Sequence, residues 1–281
     1  MDCHIRTMHP DEVQLAIDWA AAEGWNPGLY DAVCFASSDP GGFFVAEVRG
    51  RPVGCISAVA YGKSFGFIGL YIVAPALRGR GIGLQLWQAA MSRLSGRVVG
   101  LDGVPAQQEN YRRSGFAWAW SNVRFAGLAA PAVGVHSPQI VPLSAVDFDA
   151  ISRADRHTFV APREAFLRAW ISMPDSTGLA WQEGGELTGW GLIRRCRQGH
   201  KIGPLVARTS AMASALHAAL CGSVPAGDPV YLDVPMPNPQ AVALAKVNGM
   251  CSVFETARMY IGPAPQVKLP EVYGIASFEL G

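Results

Sequence analysis

Phe67-Ile68-Gly69-Leu70-Tyr71-Ile72-Val73, followed closely by Arg78-Gly79-Arg80-Gly81-Ile82-Gly83, is the stretch on which the reading of this 281-residue chain turns. The first run is apolar, rich in β-branched and aromatic residues, and of strand length. After the glycines, Leu84, Leu86, Trp87, Ala90, Met91 and Leu94 recur at helical spacing. A strand, a glycine-rich turn and a helix start together make an anion site. Unpaired backbone N–H groups converge there, and the positive end of the helix dipole favours a phosphate. Gly79, Gly81 and Gly83 permit positive φ and close approach of the backbone, while Arg78 and Arg80 add charge. The loop is not a P-loop, because no Gly-Lys-Ser/Thr closes it. The glycine spacing does not give G-x-G-x-x-G either, so the loop is not a dinucleotide fingerprint.

Composition sets the bounds. Hydrophobic residues make up 50% of the chain and charged residues 16%, so the chain can build a substantial core, and its length suits two ordinary domains. The net charge of +1 gives no electrostatic reason to expect nucleic acid as a partner. Cysteines 3, 34, 55, 196, 221 and 251 are scattered without Cys-x-x-Cys or metal-ligand spacing, which reads as buried thiols in a reducing compartment and no metal. Met1-Asp2-Cys3-His4-Ile5-Arg6 does not read as a signal peptide, and no apolar run reaches membrane-span length. The expectation is a cytoplasmic protein without membrane contact, whose exposed aromatics could support a homodimer.

The loop fits Arg-x-x-Gly-x-Gly (Arg78, Gly81, Gly83), a pattern that a glycine-rich helix cap without a ligand would also show. A second element follows it: a strand, Val98-Val99-Gly100-Leu101-Asp102, a polar segment to Asn110, then Tyr111-Arg112-Arg113-Ser114-Gly115-Phe116. Together the loop and the Tyr-x-x-x-Gly-Phe turn resemble the cofactor motifs of the GCN5-related N-acetyltransferase (GNAT) family.

The chain carries its plan twice. Phe43 to Gly54 and Gly178 to Gly189 each read as a β-hairpin with a glycine turn. Phe67 to Ala74 parallels Lys201 to Ala207, and Gly100-Leu101-Asp102-Gly103-Val104-Pro105 parallels Tyr231-Leu232-Asp233-Val234-Pro235. Gly115 to Arg124 parallels Gly249 to Arg258, with the arginine nine positions after the glycine in each. The second copy has Arg208-Thr209-Ser210-Ala211-Met212-Ala213-Ser214 in place of the glycine loop and no counterpart of Tyr111, so it does not suit a pyrophosphate. This resembles a tandem branch of the family, and the ending Tyr273 to Gly281 is similar to the tails of that branch. The expected architecture is α/β: two tandem GNAT-like domains, each a mixed, mostly antiparallel twisted sheet flanked by helices. Residues 1–130 would form the acetyl-CoA-binding catalytic domain and 131–281 a degenerate domain closing the substrate cleft. The boundary is expected in the small, uncharged segment Gly127 to Gly134.

The resemblance implies transfer of acetyl from acetyl-CoA to a primary amine of a small molecule by direct attack, with no metal. The alternatives are a protein N-acetyltransferase and a non-catalytic acyl-CoA sensor. Cofactor contacts are expected from Tyr71, Ile72, Val73, Arg78, Gly79, Arg80, Gly81, Ile82, Gly83, Asn110 and Arg113, with Tyr111 as general acid for the thiolate. Asp102, at the end of the strand beside the loop, serves either as base or as a turn cap, since Asp233 stands at the matching place in the other copy. Trp25, Asn26, Tyr30 and Asp31 are candidate acceptor contacts, because aromatic faces and carboxylates attract an ammonium group. Glu109, Arg156, His157 and Arg163 either face the site or lie on helix surfaces.

Overall fold

The computed structural model describes residues 3–131 and 137–281, so Met1, Asp2 and the end of the expected linker (132–134) lie outside the described residues. The first half runs β1 (Cys3–Thr7), α1 (Val13–Ala22), α2 (Asp31–Ser38), β2 (Phe43–Val48), β3 (Arg51–Tyr61), β4 (Phe65–Val73), α3 (Ile82–Arg93), β5 (Val98–Gly103), α4 (Gln108–Arg113) and β6 (Ala117–Leu128). The second half repeats this order: β7 (Ile140–Pro142), α5 (Phe148–Thr158), α6 (Glu164–Ile171), β8 (Ser176–Glu183), β9 (Glu186–Arg195), β10 (His200–Ala207), α7 (Ser210–Cys221), β11 (Pro229–Pro235), α8 (Pro239–Val247) and β12 (Cys251–Ile261). A short β13 (Val272–Gly274) precedes the tail. Both expected hairpins form, and their turns share a pair of positive-φ residues, Arg49-Gly50 and Gly184-Gly185.

All the strands join one mixed, mostly antiparallel sheet in the order β1-β2-β3-β4-β5-β12-β6-β11-β10-β9-β8-β7. The order reads the same from either end once each strand is replaced by its repeat partner. Its centre holds what the sequence reading did not foresee: the halves exchange their last strands. β12 pairs antiparallel with β5, and β6 pairs antiparallel with β11, each in the other half. Gly127 and Leu128, read as linker, are paired residues of β6, and the Ala129 N–H donates to the Asp228 carbonyl at 2.8 Å.

The exchange has an electrostatic signature. Asp102 on β5 stands opposite Arg258 on β12, and Asp233 on β11 stands opposite Arg124 on β6. Both pairs are bidentate, at 2.8 and 2.8 Å for Arg258–Asp102 and 2.6 and 2.8 Å for Arg124–Asp233. Removing one partner from such a buried pair costs about 3–5 kcal/mol. The helices join the halves as well. Phe35 of α2 stacks on Trp170 of α6 at 6.3 Å, and the main core cluster draws on both halves.

Two forks in the sheet decide where a ligand can lie. Parallel pairing of β4 with β5 stops at Ile68–Leu101, so Gly69 to Val73 diverge from β5. Parallel pairing of β10 with β11 stops at Ile202–Leu232. The second fork is filled, because β13 pairs with β10 at Leu205 and Val206.

Candidate active site

At the first fork, β3 and β4 lose register between Cys55 and Ser57, and Leu70 takes φ 46° although it is a buried leucine. Such a conformation costs about 1–3 kcal/mol and persists only where the surroundings enforce it. Here the Cys55 thiol donates to the Leu70 carbonyl at 3.1 Å. The bulge lies where β4 parts from β5, and Tyr71, Ile72 and Val73 then line a cleft of about 430 Å³.

The glycine loop closes the far end of this cleft. Gly79 and Gly81 have φ 75° and 81°, and Gly81 caps α3. Among the described residues no protein group accepts the N–H of Gly79, Arg80, Gly81, Ile82 or Gly83. Five consecutive free amides at a helix start suit a pyrophosphate. Arg80 is exposed without a described partner, whereas Arg78 is committed: its Nε donates to the Val73 carbonyl at 2.8 Å and its Nη2 pairs with Glu23. Arg78 thus straps the cleft to the end of α1.

Inward, the cleft runs into a pocket of about 70 Å³, and Trp25, Tyr71, Val104 and Gln107 line both. Tyr111 lines the inner one. Its ring is held between Trp87 at 5.5 Å and Phe116 at 6.4 Å, and a Cβ on Gly103 would stand 2.8 Å from it. Burial, with a smaller contribution from Tyr71, pushes its hydroxyl far above the usual phenol range, so it stays protonated and can donate. Tyr71 is pushed up by burial as well, and its hydroxyl lies 2.6 Å from where a Gly83 Cβ would be.

Both halves build this pocket. Phe254 and Thr256 of β12 and Phe278 and Glu279 of the tail line it beside Ile68, Leu70, Leu101 and Asp102. The tail is seated firmly: Tyr61 donates to the Leu280 carbonyl at 3.0 Å, and Arg163 Nη1 donates to the Gly281 carbonyl at 3.0 Å.

The comparisons with known proteins follow the same division. Residues 11–117 match the acetyltransferase (GNAT) family and residues 151–274 match an acetyltransferase (GNAT) domain. A curated relative, holothin acyltransferase of Pseudoalteromonas sp. (strain SANK 73390), is 34% identical over 277 residues, 96% of this chain and 92% of the relative. The chain belongs to the GNAT family. It is an acyltransferase with two GNAT domains. An acetyltransferase structure from Pyrococcus horikoshii is 22% identical with a TM-score of 0.83, covering 99% of this chain and 96% of that one. A tandem GNAT protein from the clavulanic acid biosynthesis pathway is 16% identical with a TM-score of 0.65, covering 94% and 100%. At these identities the structural likeness establishes the fold.

Within this GNAT fold, several residues singled out from sequence lie elsewhere. Asn26 has φ 51° and exchanges side-chain hydrogen bonds with the Gln198 backbone at 3.0 and 2.9 Å. The Tyr30 hydroxyl donates to Asp175 at 3.1 Å. Asp31 is 1% exposed and takes Arg194 of β9 at 2.8 and 3.2 Å, so it ties the halves together. Burial would raise its pKa, but Arg194, Lys201 and the Gly28 N–H hold it below the usual range. None of the three lines the cleft or the pocket, and Trp25 alone of that segment does. Asn110 bonds Gln107 at 2.8 Å and Arg113 pairs with Glu109 at 3.5 Å, both on the exposed face of α4. Arg156 pairs with Glu164 on the surface, and Arg163 is buried on Asp155.

Asp102 does line the pocket, but its oxygens are occupied. Oδ1 accepts from Asn122 and Arg258, both at 2.8 Å, and Oδ2 accepts from Arg258. Burial pushes this carboxyl upward against those donors. The matched aspartates are thus explained by the matched arginines. Among the described residues no group of three or more His, Cys, Asp or Glu is placed to hold a metal ion, and no helix is long and apolar enough to cross a membrane.

Proposed function

We propose that this protein transfers an acetyl group from acetyl-CoA to a primary amine of a small molecule, by direct attack with both substrates bound. The observation that carries the reading is the continuity of two spaces. A cleft ends at the free amides of Gly79 to Gly83 and opens at Trp25 and Tyr71 into a pocket lined by Tyr111. Those amides and Arg80 would take the phosphates, and Tyr71 to Val73 would lie along the pantetheine arm. The bound acetyl thioester supplies the electrophilic carbonyl. Tyr111 would hold a proton for the departing sulfur, which its raised pKa permits across the physiological range.

A small acceptor is favoured because Phe254, Thr256, Phe278 and Glu279 wall the pocket from the side of the second half, where a protein chain would need an open groove. Aromatic faces and one carboxylate suit an ammonium head. The name of the Pseudoalteromonas relative pairs acyl transfer with holothin, in keeping with a small acceptor. The filled second fork favours one cofactor site per chain, in the first half.

Isothermal titration and thermal shift with acetyl-CoA, CoA and dephospho-CoA, followed by thiol release against primary amines, test this reading. Acetyl-CoA should stabilise the protein. Gly81→Ala, which forces a side chain into left-handed backbone at about 1–2 kcal/mol, should raise its Kd about tenfold. The absence of any shift with the CoA species would overturn the assignment.

A further inference from the structure

Among the described residues, two polar side-chain atoms on residues that line the inner pocket have no partner. Thr256 is 1% exposed, and nothing bonds its Oγ1. Glu279 is 6% exposed, and among the described residues nothing donates to its Oε1. The other oxygen is fixed. Ser277 Oγ donates to Glu279 Oε2 at 2.6 Å and itself accepts the N–H groups of Glu279 at 2.9 Å and Leu280 at 3.3 Å. The backbone is fixed too, because a Cβ on Gly69 would stand 2.1 Å from the Glu279 carbonyl oxygen. The tail therefore presses Glu279 onto β4 at the residue where β4 leaves β5.

A base needs a free lone pair on a carboxylate held at the reacting end of the pocket. Asp102 and Glu279 are the pocket's carboxylates: Asp102 already accepts three hydrogen bonds, two of them from the Arg258 guanidinium, whereas Glu279 Oε1 accepts none among the described residues. We propose that Glu279, carried by the tail of the degenerate half, is the acid–base residue for the acceptor nitrogen, with Thr256 Oγ1 orienting the acceptor beside it. This rests on the acetyl-transfer reading above and supplies its missing base. As the nitrogen lone pair forms the C–N bond to the thioester carbonyl carbon, a nitrogen proton passes to Glu279 Oε1. As the C–S bond breaks, its electron pair stays on sulfur, which takes the Tyr111 hydroxyl proton. Exchange with solvent returns Glu279 to carboxylate and Tyr111 to phenol, and an acceptor arriving as ammonium first releases one proton to water.

The groups around Glu279 are Asp102 from β5, itself held by Arg258 of β12, Tyr71 from β4, Tyr111 from α4, Arg124 from β6 and Arg194 from β9. Each of the three arginines is already committed to an aspartate. Glu279 is thus the carboxylate left to meet an incoming cation.

Glu279→Gln keeps the volume and the acceptor for Ser277, so it isolates the charge. Wild type and variant would be compared with acetyl-CoA and whichever of tyramine, spermidine or L-lysine gives the fastest thiol release. The expected result is a kcat lower by about 10²-fold or more, loss of the acid limb of kcat/KM against pH, and an unchanged acetyl-CoA Kd and Tm. A variant kcat within threefold of wild type, with the acid limb intact, would overturn the assignment. If the Gln variant loses its Tm, Glu279→Asp carries the test, with a reduced kcat and a retained acid limb expected and a wild-type kcat overturning it. A wild-type protein that binds acetyl-CoA yet releases no thiol with any amine would overturn the parent reading instead, and that outcome is visible before any variant is made.

Discussion

Tyr111 shows how one side chain acquires a chemical role from its packing. The sequence places it in a short polar helix, where a tyrosine would ordinarily expose its hydroxyl. In the structure α4 turns it inward against Trp87 and Phe116, onto a strand that must be glycine at 103 to admit the ring. Tyr111→Phe keeps every one of these contacts and removes only the hydroxyl. Turnover should therefore fall about 10²-fold or more while acetyl-CoA affinity and Tm stay at wild-type values, measured by thiol release and titration calorimetry. The direction of the pKa shift adds a second check. A phenol raised above its ordinary value of about 10 keeps its proton beyond that pH. The rate should accordingly show no alkaline decline from Tyr111 below about pH 10, and a decline near pH 8 that disappears in the Phe variant would refute the buried-acid role.

At the scale of elements, the tail and β4 form one working unit. Gly69 is the point of contact, and an added methyl there meets backbone rather than a yielding side chain. Overpacking of this kind costs about 1–3 kcal/mol. Gly69→Ala should lower Tm by several degrees and reduce kcat more than it weakens acetyl-CoA, because the glycine loop lies beyond the C-terminal end of β4, away from the contact. A raised acetyl-CoA Kd with an unchanged kcat would count against it. These contacts also mark what could be read in the sequence. The glycine loop, the hairpins and the tyrosine turn are local patterns, set by backbone conformation and spacing, and the sequence reading located them. The acceptor wall is not local. Phe254, Thr256, Phe278 and Glu279 reach the first half's pocket only through the strand exchange and the tail. One signal was nevertheless on view. Asp102 and Asp233 match, and so do Arg124 and Arg258, yet pairing each aspartate with the arginine of the other half requires knowing that β6 and β12 trade places.

The whole molecule is therefore two sequence repeats but one folding unit, and stability measurements should show it. Unfolding either half alone would strip β5 of β12 and β6 of β11, since each exchanged strand belongs to the other repeat. It would also separate Asp102 from Arg258, Asp233 from Arg124 and Asp31 from Arg194, all buried pairs joining the halves. At about 3–5 kcal/mol for each broken pair, the half-folded state lies higher by about as much as the whole stability of an ordinary protein, roughly 5–15 kcal/mol. No such state should be populated. Differential scanning calorimetry should give one transition with van't Hoff and calorimetric enthalpies in agreement, and acetyl-CoA should move that whole transition upward although it binds in the first half. Two resolved transitions, with only one shifted by acetyl-CoA, would mean that the repeats fold independently and that the exchanged strands do not couple them. Arg258→Met offers a sharper version of the same test. It strands Asp102 in the first half by a change in the second, so its loss of stability should appear in the single transition and in acetyl-CoA binding together.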